Sequence, residues 1–156
     1  MNEDIYKTQD LEFWRDRLKK LNNPIGEVPF EEIEKEHKPI IDKYIKKTDE
    51  VLDAGCGMGR IAHWFKDENY VGFDFVPEFI EIAKSKNQNK MFFVLDIKKP
   101  LPFQNKEFDW ALLVSVKGVV GKAIGWDKWA NIEKELKRVA KRVLILEYSG
   151  SSPEIL

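Results

Sequence analysis

Apolar residues return along the first part of the chain at the three-to-four-residue spacing of helices. Leu11, Trp14, Leu18 and Leu21 mark one face. Asn22-Asn23-Pro24-Ile25-Gly26 breaks that pattern. A second face, formed by Phe30, Ile33, His37, Ile40, Ile41 and Tyr44, predicts a helix over about residues 30 to 47, with His37 a partly buried member of it. The pattern then changes to short apolar runs, which predict strands near 50–54, 70–75, 91–96, 108–115 and 142–148. Helices fall between most of them. Pro77 opens one, with Glu78 and Glu81 near its start and Lys84 and Lys86 near its end. Another is expected from Asp127, as N-cap, to Lys141. Its apolar stripe is Trp129, Ile132, Leu136, Val139 and Ala140, and Lys137, Arg138, Lys141 and Arg142 suit the carboxyl end of the helix dipole. Alternating strands and helices predict an α/β fold whose parallel sheet is covered on both faces.

The first strand runs into Asp53-Ala54-Gly55-Cys56-Gly57-Met58-Gly59-Arg60. Three glycines at alternate positions allow main chain to bend freely and to approach a ligand without a Cβ in the way. Amides of such a loop, and of a helix starting behind it, make a polar cradle at the carboxyl end of a parallel strand. A structural turn needs one or two glycines, not three. A dinucleotide site wants G-x-G-x-x-G, and the Arg at position 60 does not meet that spacing.

Two further strands end in acids. Tyr70-Val71-Gly72-Phe73-Asp74-Phe75 places a carboxylate about 20 residues after the first glycine, where nucleotide folds hold a ribose diol. A carboxylate suits that task because it accepts hydrogen bonds from two neighbouring hydroxyls. Met91-Phe92-Phe93-Val94-Leu95-Asp96-Ile97 is followed by Leu101-Pro102-Phe103 and then by Phe108-Asp109-Trp110-Ala111.

These three motifs, in this order and spacing, resemble the class I, Rossmann-like S-adenosylmethionine-dependent methyltransferases. The string D-x4-L-P-F-x4-F-D resembles the small ubiquinone/menaquinone-type subfamily, over roughly residues 36 to 148. The resemblance implies a three-layer fold with sheet order 3-2-1-4-5 and N-terminal helices. It also implies S-adenosylmethionine as cofactor: Asp53, Gly55, Gly57 and Gly59 bordering the methionine moiety, Asp74 holding the ribose, Phe75 and Ile97 against the adenine, Asp96 on its amino group, and Ser115 facing the acceptor entrance. It implies organisation as one domain, with helices in 1–47, a cofactor-binding core in 48–148 and a tail in 149–156.

Composition narrows the function. Lys plus Arg number 26 and Asp plus Glu 27, so no basic field points to nucleic acid. One cysteine excludes an internal disulfide, and a lone Cys56 with only His37 and His63 gives little basis for a metal site. The acidic start Met1-Asn2-Glu3-Asp4 is not a signal peptide, and no run of apolar residues is long enough to span a membrane, so the expected address is cytoplasmic.

Relative to the family, the chain is short after the fifth strand: Ser149 to Leu156 leaves no room for the usual helix and two antiparallel strands. Val143-Leu144-Ile145-Leu146 is therefore expected as an apolar edge that pairs in a homodimer or with a partner protein. The acceptor pocket is expected from the N-terminal helices and from Lys117 to Trp129, a stretch with glycines at 118, 121 and 125 and Trp126, read as a mobile lid or binding loop. Trp14 and Tyr6 are candidates to fold over the cofactor. Candidate bases are Glu147, Tyr148, His63 and Lys117, with no catalytic residue assigned. After the fourth strand, Ser115-Val116-Lys117-Gly118 lacks the prolines and aromatic typical of amino methyltransferases that act on nucleic-acid bases, and it holds no cysteine for ring methylation. A small-molecule acceptor is thus favoured over a protein side chain. The alternative is a non-catalytic cofactor-binding subunit that regulates or completes a partner methyltransferase.

Overall fold

The computed structural model describes residues 9–20, 30–147 and 151–156. Tyr6, Leu21, the break at 22–26 and Tyr148 lie outside the described residues. Helices α1 (Leu11–Lys20) and α2 (Phe30–Tyr44) precede the sheet. Its strands are β1 (Val51–Ala54), β2 (Tyr70–Asp74), β3 (Met91–Val94), β4 (Phe108–Val114), β5 (Ala140–Leu146) and β6 (Glu154–Ile155). Helix α3 (Pro77–Lys86) joins β2 to β3, while α4 (Lys117–Ile124) and α5 (Trp126–Val139) join β4 to β5. The sheet order is β3-β2-β1-β4-β5-β6. The first five strands pair in parallel, as the alternating pattern requires, and β6 runs antiparallel to β5.

Side-chain alternation along the central strands builds two cores. Leu52, Ala54, Ala111, Leu113, Val143 and Ile145 pack with Trp129, Ile132, Leu136 and Val139 of α5. Val51, Trp110, Leu112, Leu144 and Leu146 pack on the other face with Ile33 and Ile41 of α2 and with Ile45. Both faces of β1 and of the central parts of β4 and β5 are thus buried, which is why Val51-Leu52, Ala111 to Leu113 and Val143 to Leu146 read as continuous apolar runs. His37, spaced between Ile33 and Ile41, is itself buried, and burial lowers its pKa. Among the described residues no helix is long and apolar enough to cross a membrane.

Four expectations change. First, β5 does not end in a bare edge. Leu144 pairs with Ile155 and Ile145 with Glu154, and Val143 and Leu156 exchange both backbone hydrogen bonds at 2.9 Å. A short return satisfies the edge within the chain and removes the reason given for dimerisation or a partner there. Second, residues 117–129 are not a loop: α4 and the first turn of α5 occupy them. Gly121 is required by packing, since a Cβ there would lie 2.2 Å from the Trp126 ring. Third, Asp127 sits inside the first turn of α5, and the N-cap is Gly125 at φ 97°, a left-handed value that glycine adopts freely. Fourth, turns and a 3-10 segment (Ala62–Trp64) follow the glycine loop in place of an α-helix, so the loop's own amides, not a helix dipole, define its polarity.

Candidate functional site

The site forms where β1 to β5 end. Gly55, Gly57 and Gly59 have φ values of 80°, 54° and 73°, all in the left-handed region. The amides of Gly55 and Cys56 both donate to the Phe73 carbonyl at 2.9 Å, folding the loop over the end of β2. A Cβ on Gly55 would lie 2.7 Å from Val116 Cγ2, so the glycine loop and the segment leaving β4 touch here. Cys56 is buried, and its Sγ packs so closely on β2 that a Cβ at Gly72 would meet it at 3.0 Å. Burial first, then the Asp53 and Asp74 charges, push its thiol well above the ordinary range, which makes it a packing residue and a poor nucleophile.

The acids have different surroundings. Asp53 is buried beneath the loop, where the Tyr70 hydroxyl donates to its Oδ2 at 2.6 Å. Burial raises its pKa to about 7, against the opposing hydrogen bond from Tyr70. Asp74 closes onto the loop itself. Its Oδ2 accepts the Gly57 amide at 3.0 Å and its Oδ1 the Val76 amide at 3.1 Å. Burial again dominates and raises its pKa to about 6, with the backbone amides pulling the other way. Asp96 follows β3, accepts the Lys98 amide at 2.9 Å and stands 3.7 Å from the Lys98 ammonium. The Leu95 amide bonds the Asp74 carbonyl at 3.0 Å, which holds the ends of β2 and β3 together.

Ser115 lies at the end of β4 in a left-handed conformation, φ 57°. Its amide donates to the Leu146 carbonyl at 2.8 Å, and its Oγ is buried with no hydrogen-bond partner. A non-glycine residue in the left-handed region with a buried, unpartnered hydroxyl is uncommon.

The N-terminal helix reaches this region. Leu11, Trp14 and Leu18 pack on Met58 of the glycine loop, on Phe75 and Val76, and on Phe79 and Ile82 of α3. The Trp14 and Phe79 rings meet edge to face at 5.7 Å, and Arg15 Nε is 2.5 Å from Glu78 Oε1. Ile97 borders a cavity of about 590 Å³ that also touches Gln9, Pro100, Ile124 and Ile132, beside rather than over the glycine loop. Of the candidate bases, His63 is exposed on the 3-10 segment. Lys117 is anchored by Glu154 at 2.6 Å and Glu133 at 3.3 Å. Burial opposes its charge, but those carboxylates prevail and raise its pKa. Glu147 accepts the Gly118 amide at 3.2 Å.

The pattern did not reveal Arg138 and Glu135, which organise the third motif. Arg138 donates to the carbonyls of Phe103 and Leu101 at 2.8 and 2.9 Å, and Glu135 takes the Leu101 amide at 2.8 Å. The Leu-Pro-Phe segment is thereby fixed, with Leu101 buried and Phe103 edge-on to Phe108. Helix-end charge was the only sequence signal for Arg138, and it spoke of the dipole, not of this contact.

A glycine loop at the crevice between β1 and β4, with acids at the neighbouring strand ends, defines a nucleotide-cofactor domain of the Rossmann-like class. The family described as methyltransferase domain matches residues 51–142, more than half of the chain. The chain belongs to that family, as a class I S-adenosylmethionine-dependent methyltransferase domain. It is similar to a protein of Pyrococcus horikoshii, at 26% identity and a TM-score of 0.64, over 74% of this chain and 57% of that one. A structure described as a S-adenosylmethionine-dependent methyltransferase, from Methanosarcina mazei, matches at 28% identity and TM-score 0.57, over 69% of this chain and 56% of that one. An uncharacterized protein of Methanocaldococcus jannaschii is 44% identical over 75 residues, covering 48% of this chain and 28% of the relative. The chain thus spans a little over half of the two solved proteins and far less of the uncharacterized one.

Proposed function

We propose that this domain binds S-adenosylmethionine across the carboxyl ends of β1 to β4 and transfers its methyl group to a small-molecule acceptor. The observation that carries the reading is Asp74, whose carboxylate at the end of β2 is fixed beside the glycine loop by the Gly57 and Val76 amides, where it would accept from a ribose diol. The buried, unpartnered Ser115 hydroxyl at the end of the neighbouring strand β4 fits such a ligand. When bound, the cofactor supplies an electrophilic methyl group on a positively charged sulfur.

The chain's own contribution is positioning and exclusion of water. In this reading Gly55, Gly57 and Gly59 leave room for the methionine moiety, Phe75 and Ile97 flank the adenine, and Asp96 meets its amino group. Asp53, hydrogen-bonded to Tyr70, borders the methionine moiety at the base of the loop. Trp14 and its neighbours on α1 cover the loop at Met58 and Phe75. The test is calorimetric titration with S-adenosylmethionine, S-adenosylhomocysteine and NAD in parallel. Binding of the two sulfur nucleosides without NAD is expected; binding of none, or of NAD alone, would overturn the assignment.

A further inference from the structure

Glu147 stands at the end of β5, immediately after Leu146, whose carbonyl receives the Ser115 amide at 2.8 Å. Two contacts connect it to the glycine loop. Its Oε1 accepts the Gly118 amide at 3.2 Å, and Val116, two residues before Gly118, meets Gly55. The fit is close: a Cβ on Gly118 would lie 2.9 Å from Glu147 Oε2. Glycine at 118 is therefore what admits the carboxylate to this position.

The neighbouring charges make Glu147 distinct. Lys117, the adjacent cation, is already bound by Glu133 and Glu154. Arg138 is committed to Glu135 on the far end of α5. Glu147 has no cationic partner among the described residues; its hydrogen bond is to a neutral amide. Ser115, at the end of the paired strand β4, carries a buried, unpartnered hydroxyl. A half-buried carboxylate without a counter-ion, with an unused hydroxyl at the neighbouring strand end, is a site built to receive a cationic or N–H-bearing group.

We propose that Glu147, with Ser115, forms the acceptor side of the site and that the acceptor is an amine. This rests on the methyl-donor reading above. Glu147 accepts the proton of an ammonium acceptor; the freed nitrogen lone pair forms the N–C bond to the methyl group while the C–S bond breaks, and its electron pair returns to sulfur, leaving a neutral thioether. The Ser115 hydroxyl orients the same nitrogen as hydrogen-bond acceptor or donor. A carboxylate without a cationic partner pairs most strongly with an ammonium, through a charge-assisted hydrogen bond that a neutral hydroxyl or thiol cannot match, and an anionic acceptor would be repelled.

The test needs no knowledge of the natural acceptor. Sinefungin carries an ammonium-bearing carbon where S-adenosylmethionine carries the methylated sulfur, so its ammonium reports on what lies beyond the methyl group. Glu147→Gln keeps an amide oxygen for the Gly118 N–H and removes the charge. The wild-type protein is expected to bind sinefungin at least about tenfold more tightly than S-adenosylhomocysteine, as a charge-assisted hydrogen bond provides. In E147Q that preference falls to about one while S-adenosylhomocysteine affinity and Tm stay at wild-type values. Equal sinefungin preference in the two proteins, with S-adenosylhomocysteine bound by both, overturns the amine-site proposal and leaves the methyl-donor reading intact. No binding of S-adenosylhomocysteine to the wild type overturns the methyl-donor reading itself, and this proposal with it.

Discussion

Asp53 offers a quantitative test of how the site is built. It is 2% exposed, and burial raises its carboxyl pKa from 3.8 to about 7. The folded domain holds this proton more tightly than the unfolded chain does. Its contribution to stability is therefore fully present below the ordinary carboxyl range and is lost as pH rises through about 7. Over that whole window the shift corresponds to a ceiling of about 4 kcal/mol, at 1.36 kcal/mol per unit. Between pH 5 and pH 8 the same linkage gives about 2–3 kcal/mol. Asp53→Asn keeps an oxygen that accepts from the Tyr70 hydroxyl and removes the titration. Urea unfolding of both proteins at the two pH values is the assay. The variant is expected to gain about 2–3 kcal/mol on the wild type on going from pH 5 to pH 8, whatever its offset at pH 5. Asp74, whose charge contributes to the Asp53 shift, is present in both proteins, so the gap reports on the coupled pair. A gap that stays constant between the two pH values would refute the argument, and would mean that water reaches Asp53 or that the unfolded chain holds the same proton.

Other perturbations address separate parts of the structure. Asp74→Ala is expected to weaken S-adenosylhomocysteine binding by about tenfold to a hundredfold, the loss of hydrogen bonds of about 1.5–3 kcal/mol each to a charged group; calorimetry giving wild-type affinity would place the ribose elsewhere. Gly55→Ala should destabilise the domain by about 2 kcal/mol through left-handed backbone strain and the Val116 contact. Val116 belongs to the core, so the contact is read from a double-mutant cycle: Gly55→Ala and Val116→Ala together should cost less than the sum of the two, and thermal melts in which the costs add would show that the contact does not matter. Removing residues 151–156 frees the β5 edge at Val143 to Ile145, so light scattering should show concentration-dependent association where the parent shows less; identical profiles would argue against edge protection by β6.

The parallel order and the glycine loop were legible because both leave strong local marks. Apolar runs at Val51-Leu52 and Ala111 to Val114 can only be strands buried on both faces, and glycines at 55, 57 and 59 mark positive φ. Pro77 marked the start of α3 for the same kind of reason. What escaped the pattern depends on distance in space. Gly118 and Gly121 looked like loop residues, yet they sit in a helix because Glu147 and the Trp126 ring occupy the volume where a side chain would go. The tail 151–156 carries only two strand residues, too few for any periodicity, and acquires its conformation from β5. The hydrogen bond from Tyr70 to Asp53 also lay outside the pattern, because the two residues belong to different strands.

The central position of β1 has a consequence for how this surface comes into being. Val51 pairs with Tyr70 on one side and with Trp110 on the other. The β1–β2–β3 half is assembled from neighbouring sequence, whereas the β1–β4 junction closes a far longer stretch of chain and carries the larger entropic barrier. The Gly55–Val116 contact lies on that junction. Completion of the sheet and creation of the cleft are consequently one event: a chain with only its first half folded has the glycine loop but no opposite wall. A bound nucleoside that touches both walls therefore acts as a clamp across the slowest seam of the molecule, and hydrogen exchange in β1 and β4 should slow together when it binds.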